Sequence, residues 1–195
     1  MLDRVQGRTG LRIFGDTTTG VKLSGAQKAL AQWSVVDDYN TVLDMSCKDT
    51  GLLRHLTQKF SLRACGIAQE SEDARMLREA LPDAEIFCAR KEDIPWRDES
   101  FDAVFLQIDK NDADCGTALL KEALRVLKPC GQLLISVAGM PEVLRRAADF
   151  LGISDGEEHV RPRDLLKSME EAGFGDISYR LARPFVGLAM GWKWQ

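Results

Sequence analysis

Short apolar runs alternate with amphipathic segments along most of the chain. Runs of strand length predict β-strands over 42–45, 63–67, 85–88, 101–108 and 132–137. Between them, apolar residues recur at helical spacing over 52–60, 71–81 and 117–127. Strand, helix, strand units of this length favour parallel pairing through right-handed crossovers. The run 101–108 is apolar at almost every position, which is typical of a central strand covered on both faces.

The two ends of the chain differ from this alternating region. Residues 1–20 are rich in Gly, Thr and charge, so we expect a loop or a lid there. Ser24 can cap a helix whose apolar side chains stand at 26, 29, 30 and 33. Towards the other end we expect a helix over 141–151 and one over 163–172 that ends at Gly173. The last two strands, expected to pair antiparallel, are 177–181 and 185–194.

Length and charge restrict the classes of protein. With 195 residues the chain can form one hydrophobic core but not two ordinary domains, so we expect a single domain over 1–195. The formal net charge is −4, and Lys and Arg are dispersed among Asp and Glu. Because no basic stripe is present, we expect no nucleic-acid partner.

Cysteine spacing and hydropathy indicate the compartment. The 5 cysteines are odd in number and lack close C-x-x-C pairs, so we expect reduced thiols without a metal. Their positions are Cys47, Cys65, Cys88, Cys115 and Cys130. No run approaches the ~20 apolar residues that a membrane span requires, and the amino terminus does not resemble a signal peptide. We therefore expect a cytoplasmic protein that contacts no membrane.

The stretch 42–53, VLDMSCKDTGLL, carries the clearest ligand-binding pattern. An apolar run ending in Asp44 passes into a small polar loop and then into the apolar start of a helix. In an open α/β sheet, the carboxyl end of such a strand and the start of the next helix border a crevice for small molecules.

Other segments carry a resemblance to a known family. They are GIAQE at 66–70, ARKEDIPW at 89–96, SFDAVFLQ at 100–107, LLKEALRVLKPCGQLLISV at 119–137 and LLKSMEEAGFGDI at 165–177. Over roughly residues 20–195 the chain resembles class I S-adenosylmethionine-dependent methyltransferases, of the type 11 kind. The resemblance implies a Rossmann-like α/β fold: about seven mostly parallel strands, helices on both faces and an antiparallel C-terminal strand pair. It also implies methyl transfer from S-adenosylmethionine, and we expect a small-molecule acceptor.

The cofactor motifs of the family are degenerate here. The family's Asp-x-Gly-x-Gly-x-Gly turn aligns with Asp44, Ser46, Lys48 and Thr50, so only the aspartate matches. The acid that binds ribose is replaced by Ala68, followed by Gln69 and Glu70. The Asp that accepts from adenine is replaced by Arg90, which can only donate. The residues that the resemblance places at the cofactor are Asp44, Ser46, Cys47, Lys48, Ala68, Gln69, Arg90, Lys91 and Leu106.

These exchanges affect the expected affinity. If Lys48 and Arg90 point inward, they add cations to a pocket that has lost two carboxylates, whereas S-adenosylmethionine is itself net cationic. We therefore expect weak binding. The alternative is a methyltransferase-like domain that is catalytically inactive and binds another ligand or a protein partner.

Candidates for acceptor chemistry are few. No dinucleotide or P-loop motif is present. The two histidines, His55 and His159, and the acidic loop with Asp109, Asp112 and Asp114 fit ordinary helix and loop positions better than catalytic ones. The sequence identifies neither the catalytic residues, the methyl acceptor nor the oligomeric state.

Overall fold

The computed structural model describes residues 21–108, 116–138, 161–183 and 186–194. Five sequence predictions lie outside these residues: the amino-terminal loop or lid, the acidic loop, the reduced thiol of Cys115, the helix over 141–151 and the position of His159. In the described part of the chain, no helix is long and apolar enough to cross a membrane.

Seven strands and five helices follow one another along the described residues. The strands are β1 Thr41–Asp44, β2 Arg63–Ala68, β3 Glu85–Cys88, β4 Phe101–Ile108, β5 Leu127–Ala138, β6 Gly175–Arg183 and β7 Val186–Trp192. The helices are α1 Gly25–Trp33, α2 Gly51–Lys59, α3 Ser71–Ala80, α4 Thr117–Val126 and α5 Pro162–Ala172. The expected Ser24 cap begins α1 and Gly173, at φ 106°, ends α5.

The strands form a single mixed sheet in the order β3-β2-β1-β4-β5-β7-β6. The pairs β1–β2, β2–β3, β1–β4 and β4–β5 are parallel, and β7 is antiparallel to both β5 and β6. The register places Leu43 opposite Cys65 on one side and opposite Val104 on the other. This arrangement confirms the predicted Rossmann-like fold with its antiparallel C-terminal strands.

Two hydrophobic cores cover the two faces of the sheet. Because side chains alternate along a strand, Val42 and Leu43 of β1 enter opposite cores. The core with Val42 is closed by apolar residues of α1, α2 and α3, such as Leu30, Leu53 and Leu77. The core with Leu43 is closed by α4 and α5. The sheet is therefore the middle of three layers.

The KPCG segment differs from its prediction as a turn before the fifth strand. Residues 128–131 belong to β5, where the register jumps from Phe101 opposite Leu127 to Ala103 opposite Gln132. Cys130 has a φ of 61°, and its N–H donates to the Lys193 carbonyl at 2.7 Å. The segment is thus a bulge in a paired strand, because these backbone groups find partners beyond β7.

The strand order reverses between β1 and β4. The crossover after β1 runs through α2 on one face, and the crossover after β4 runs through α4 on the other. At such a point the two connections diverge and leave a crevice at the carboxyl ends of the strands. This edge of the sheet is the one at which β1 enters the polar turn.

Candidate functional site

The turn after β1 is bonded to both neighbouring strands. The Met45 N–H donates to the Phe105 carbonyl at 2.9 Å, and the Cys47 N–H donates to the Ile67 carbonyl at 3.0 Å. The Ser46 hydroxyl donates to the Gln107 carbonyl at 3.1 Å and accepts from the Gln107 N–H at 3.2 Å. Ser46, which replaces a family glycine, therefore fixes the turn to the end of β4.

Asp44 places a carboxyl group in the buried part of this edge. It is 1% exposed, and the Ser46 N–H donates to its Oδ1 at 2.9 Å. The pKa of Asp44 is raised to about 7, mainly because burial disfavours the charged form; the Ser46 hydrogen bond lowers the pKa, the nearby Asp49 raises it and Lys91 lowers it. Near neutral pH this carboxyl group can therefore accept or donate a hydrogen bond.

Cys47 fills space between the turn and β2. A Cβ on Gly66 would lie 3.1 Å from both the Cβ and the Sγ of Cys47, so Gly66 leaves room for that side chain. Burial raises the pKa of the Cys47 thiol above its usual range. A protonated, buried thiol is a poor nucleophile, so Cys47 contributes packing and its backbone N–H.

The end of β2 separates a buried residue from exposed ones. Ala68 is 2% exposed and belongs to the core on the α1–α3 face, whereas Gln69 and Glu70 are exposed. The Ala89 N–H donates to the Ala68 carbonyl at 3.1 Å, which brings the loop after β3 beside this end. Gln69 and Glu70 are thus the side chains that offer acceptors here.

The cations of the predicted site differ in burial. Lys48 is exposed, and the Arg90 side chain is 84% exposed with its Nε 3.5 Å from Glu92 Oε2. Lys91 is only 6% exposed and lowers the pKa of Asp44 electrostatically. The buried cation near Asp44 is therefore Lys91, not the arginine that replaces the family's aspartate.

Leu106 stands apart from the other predicted site residues. Its side chain is completely buried in the core on the face covered by α4 and α5. The following residue, Gln107, makes the contacts with Ser46. The structure thus brings the ends of β1, β2 and β4 and the loop after β3 to one edge, with Leu106 packed beneath it.

The loop after β3 is held by α4. Arg125 donates to both oxygens of Glu122 at 2.8 Å, to Asp98 Oδ1 at 2.7 Å and to the carbonyls of Trp96 and Ile94 at 2.9 and 3.1 Å. Glu122 Oε2 in turn accepts from the Ile94 N–H at 3.1 Å. Arg125 therefore fixes the path of the loop that carries Arg90 and Lys91.

A cavity of about 530 Å³ lies on the outer side of the turn. It is lined by Val21, Lys22, Asp49, Thr50, Gly51, Arg54 and Gln58. The predicted cofactor residues, all of which the structure describes, do not border it. Its walls come from the end of the turn at Asp49 and Thr50, from one side of α2 and from the segment before α1.

Two residues at the turn were not predicted from the sequence. Gln107 bonds to Ser46, and Gln27 of α1 bonds to Asp49 at 2.8 Å. No sequence pattern indicates Gln107. The spacing Ser24-x-x-Gln27 does fit a capping box, which the structure contains, but that pattern predicts only the helix start. The cysteines of the described residues, Cys47, Cys65, Cys88 and Cys130, are free thiols.

Known proteins match both the sequence and the fold. A family model described as a methyltransferase domain matches residues 43–135. The ubiquinone/menaquinone biosynthesis C-methyltransferase UbiE of Bartonella tribocorum is 26% identical over 191 residues, which cover 85% of this chain and 73% of that protein.

Solved structures with low sequence identity share the fold of this chain. A chain from the complex of the Haloferax volcanii Trm112 methyltransferase activator with a methyltransferase has a TM-score of 0.69 at 18% identity, covering 88% of this chain and 90% of that chain. A SAM-dependent methyltransferase of Methanosarcina mazei has a TM-score of 0.63 at 19% identity, covering 82% and 94%. At these identities the similarity to solved structures shows the fold alone. The family model covers the chain from the end of β1 through β4, including the turn after β1. The chain therefore has the Rossmann-like fold of these methyltransferases, and its residues 43–135 are similar in sequence to a methyltransferase domain.

Proposed function

We propose that this protein transfers a methyl group from S-adenosylmethionine to a small-molecule acceptor, with the cofactor at the carboxyl edge of the sheet. One observation carries the proposal. The segments 44–48, 68–69 and 90–91 meet at one edge, beside the reversal of strand order between β1 and β4. This is the position at which open α/β sheets bind ligands.

The chemistry of the edge fits a cationic ligand with hydroxyl groups. Gln69 and Glu70 are exposed acceptors at the end of β2, where the cofactor's ribose would lie. Asp44 is buried behind the turn, so it would act on the amino acid part of the cofactor indirectly, by holding the Ser46 N–H of the turn in place. Lys48 and Arg90 are exposed, and Arg90 pairs with Glu92, so their charges need not enter the crevice.

When bound, S-adenosylmethionine supplies a methyl group activated by the positive sulfonium. The task of the chain is then mainly alignment, because in-line transfer depends on holding the two reactants in a reactive geometry. Ser46 and Arg125 serve this task indirectly: one fixes the turn to β4, and the other fixes the loop after β3.

The acceptor class rests on composition and on one relative. The net charge of −4 and the dispersed Lys and Arg residues do not favour a nucleic-acid acceptor. The Bartonella relative is named for methylation at carbon in ubiquinone and menaquinone biosynthesis. At 26% identity we take from it only the class of a small molecule.

Calorimetric titration with S-adenosylmethionine and with S-adenosylhomocysteine tests the proposal. We expect both to bind, with an affinity weaker than micromolar, because Ala68 and Arg90 cannot supply acceptors worth roughly 1.5–3 kcal/mol each. Micromolar or tighter binding would contradict this account of Ala68 and Arg90. Absence of binding at millimolar ligand would contradict the proposed function and favour the alternative, an inactive domain that binds another ligand or partner.

A further inference from the structure

A buried side chain of α1 reaches across to the turn. Gln27 is 3% exposed, and its Nε2 donates to Asp49 Oδ1 at 2.8 Å. The same oxygen accepts from the Gly51 N–H, the first residue of α2, at 2.7 Å. One carboxylate oxygen thus joins the side chain of α1 to the start of α2.

The other end of the Gln27 amide is also occupied. Its Oε1 accepts from the Ser24 N–H at 3.0 Å, and the Gln27 N–H donates to Ser24 Oγ at 3.1 Å. The amide is therefore held in one orientation, with its NH₂ group directed at Asp49. A buried amide with both ends satisfied is a rigid connection.

Gly51 shows how closely these groups approach the backbone. A Cβ at position 51 would lie 2.8 Å from Gln27 Oε1 and 2.9 Å from Asp49 Oδ1. A Cβ at this position would push the ends of the Gln27 and Asp49 side chains out of place, so Gly51 leaves the space that their hydrogen bonds occupy, and its backbone is not left-handed. The turn lacks glycine at 46, 48 and 50 but has one where Gln27 and Asp49 meet the chain.

We propose that Gln27 and Asp49 are positioning residues that form a latch between α1 and the turn 46–50, and that this latch sets the turn's conformation in place of the missing glycines. Its consequence for cofactor affinity rests on the proposed function. Neither residue needs to touch the cofactor, since the latch acts through the backbone at Gly51.

The substitution Gln27→Glu tests the latch selectively. A glutamate at this position can still accept from the Ser24 N–H and complete the capping box, so α1 keeps its start. It loses the donor to Asp49 and places two carboxyl groups against each other. In the double variant Gln27→Glu/Asp49→Asn that repulsion is absent, while the amide oxygen introduced at position 49 can still accept from the Gly51 N–H. Gln58→Glu adds the same charge at an exposed position of α2 and is the control.

Two measurements are made on each folded variant: hydrogen exchange of residues 46–53 and calorimetric titration with S-adenosylhomocysteine. We expect Gln27→Glu to lose protection in this segment and to bind at least about tenfold more weakly, the double variant to regain most of both, and Gln58→Glu to resemble the unaltered protein. If Gln27→Glu does not fold, Gln27→Met removes the donor without adding charge.

The outcomes separate this proposal from the proposed function. Unchanged exchange protection in Gln27→Glu or Gln27→Met overturns the latch, whatever the binding result. Lost protection with unchanged affinity overturns the claim that the latch positions the turn for a ligand. If the unaltered protein binds neither compound, the proposed function fails, and hydrogen exchange alone decides whether the latch sets the turn.

Discussion

Asp44 ends a strand in the interior of the protein, where water does not reach its carboxyl group. A buried acid with one backbone donor favours its neutral form, so its pKa rises to about 7 from 3.8. Between these two values the folded chain holds a proton that the unfolded chain has released. The protonated carboxyl group therefore contributes stability that is fully present below pH 3.8. This stability falls as the pH rises above 3.8 and is lost as the pH passes through about 7.

The substitution Asp44→Asn is expected to remove this pH dependence. An asparagine keeps the acceptor for the Ser46 N–H but carries no charge. The advantage of the variant in free energy of unfolding should grow from about pH 4 to about pH 7, by at most about 1.4 kcal/mol for each pH unit. Urea unfolding of both proteins across this range measures it. A constant difference between them would show that Asp44 is not strained by burial.

The end of β2 gives a second prediction for a single residue. Gln69→Asp places a carboxylate at the exposed position beside Ala68, where it can accept from ribose hydroxyl groups. We expect binding of S-adenosylhomocysteine to strengthen by roughly tenfold, the value of one charge-assisted hydrogen bond. Gln58→Asp, on the exposed side of α2, is the matched control and should leave the affinity as it was. Equal effects of the two changes would exclude position 69 from the site.

The sequence predicts which strand or loop carries each of these residues, but it does not predict where their side chains point. Asp44 and Ala68 end β1 and β2, as the apolar runs before them predict. The exposure of Arg90 and the burial of Lys91 depend on how the loop after β3 packs, which no local pattern contains. The contact between Gln27 and Asp49 joins residues 22 positions apart, so the periodicity of the sequence does not predict it either.

At the scale of the elements, strands with continuous apolar runs were predicted best. The observed bounds of β3 and β4 equal the predicted ones, and capping chemistry located the start of α1 and the end of α5. The start of β5 was wrong, because Pro129 and Gly131 are typical of a turn. Pairing with Lys193, which is distant in sequence, overrides that local preference.

The bulge in β5 predicts a stabilising substitution. Cys130 has a φ of 61°, a conformation that costs a residue with a Cβ about 1–2 kcal/mol. Cys130→Gly removes this cost and keeps the N–H donor to Lys193, but it adds freedom to the unfolded chain. We expect a net gain of about 0.5–1 kcal/mol in denaturant unfolding. Cys88→Gly, at an exposed strand position without positive φ, should lower stability. A loss in both variants would contradict the backbone argument.

Because Arg125 connects α4 to the loop after β3, we expect its substitution to lower the stability of the fold strongly. Arg125→Ala removes the guanidinium donor to Glu122, to Asp98 and to two loop carbonyls, and leaves Glu122 with the Ile94 N–H, so we expect a loss of about 2–4 kcal/mol in the free energy of unfolding. Lys167→Ala breaks an ion pair whose side chains are 74% and 54% exposed, and it should cost less than about 0.5 kcal/mol. Similar losses in the two variants would show that Arg125 does not hold the loop.

At the scale of the whole molecule, the sheet order relates fold to function. Parallel strands β1, β2, β3 and β4 all direct their carboxyl ends to one edge, and the reversal between β1 and β4 opens it. The sequence predicts the mostly parallel sheet, because alternating strands and helices allow few topologies, but the strand order and the place of the reversal come from the structure. The cavity beside α2 borders the other end of the same turn, at Asp49 and Thr50, so cofactor binding at the carboxyl edge and binding in the cavity can be distinguished by the residues that respond.

The measurement that tests the cofactor site most directly is nuclear magnetic resonance of the ¹⁵N-labelled protein during titration with S-adenosylhomocysteine. If the carboxyl edge is the site, the amide signals of Cys47, Gln69 and Lys91 shift with increasing ligand, and those of Arg54 and Gln58 beside the cavity do not. Shifts confined to Arg54 and Gln58, or no shifts at millimolar ligand, would contradict the placement of the cofactor at this edge.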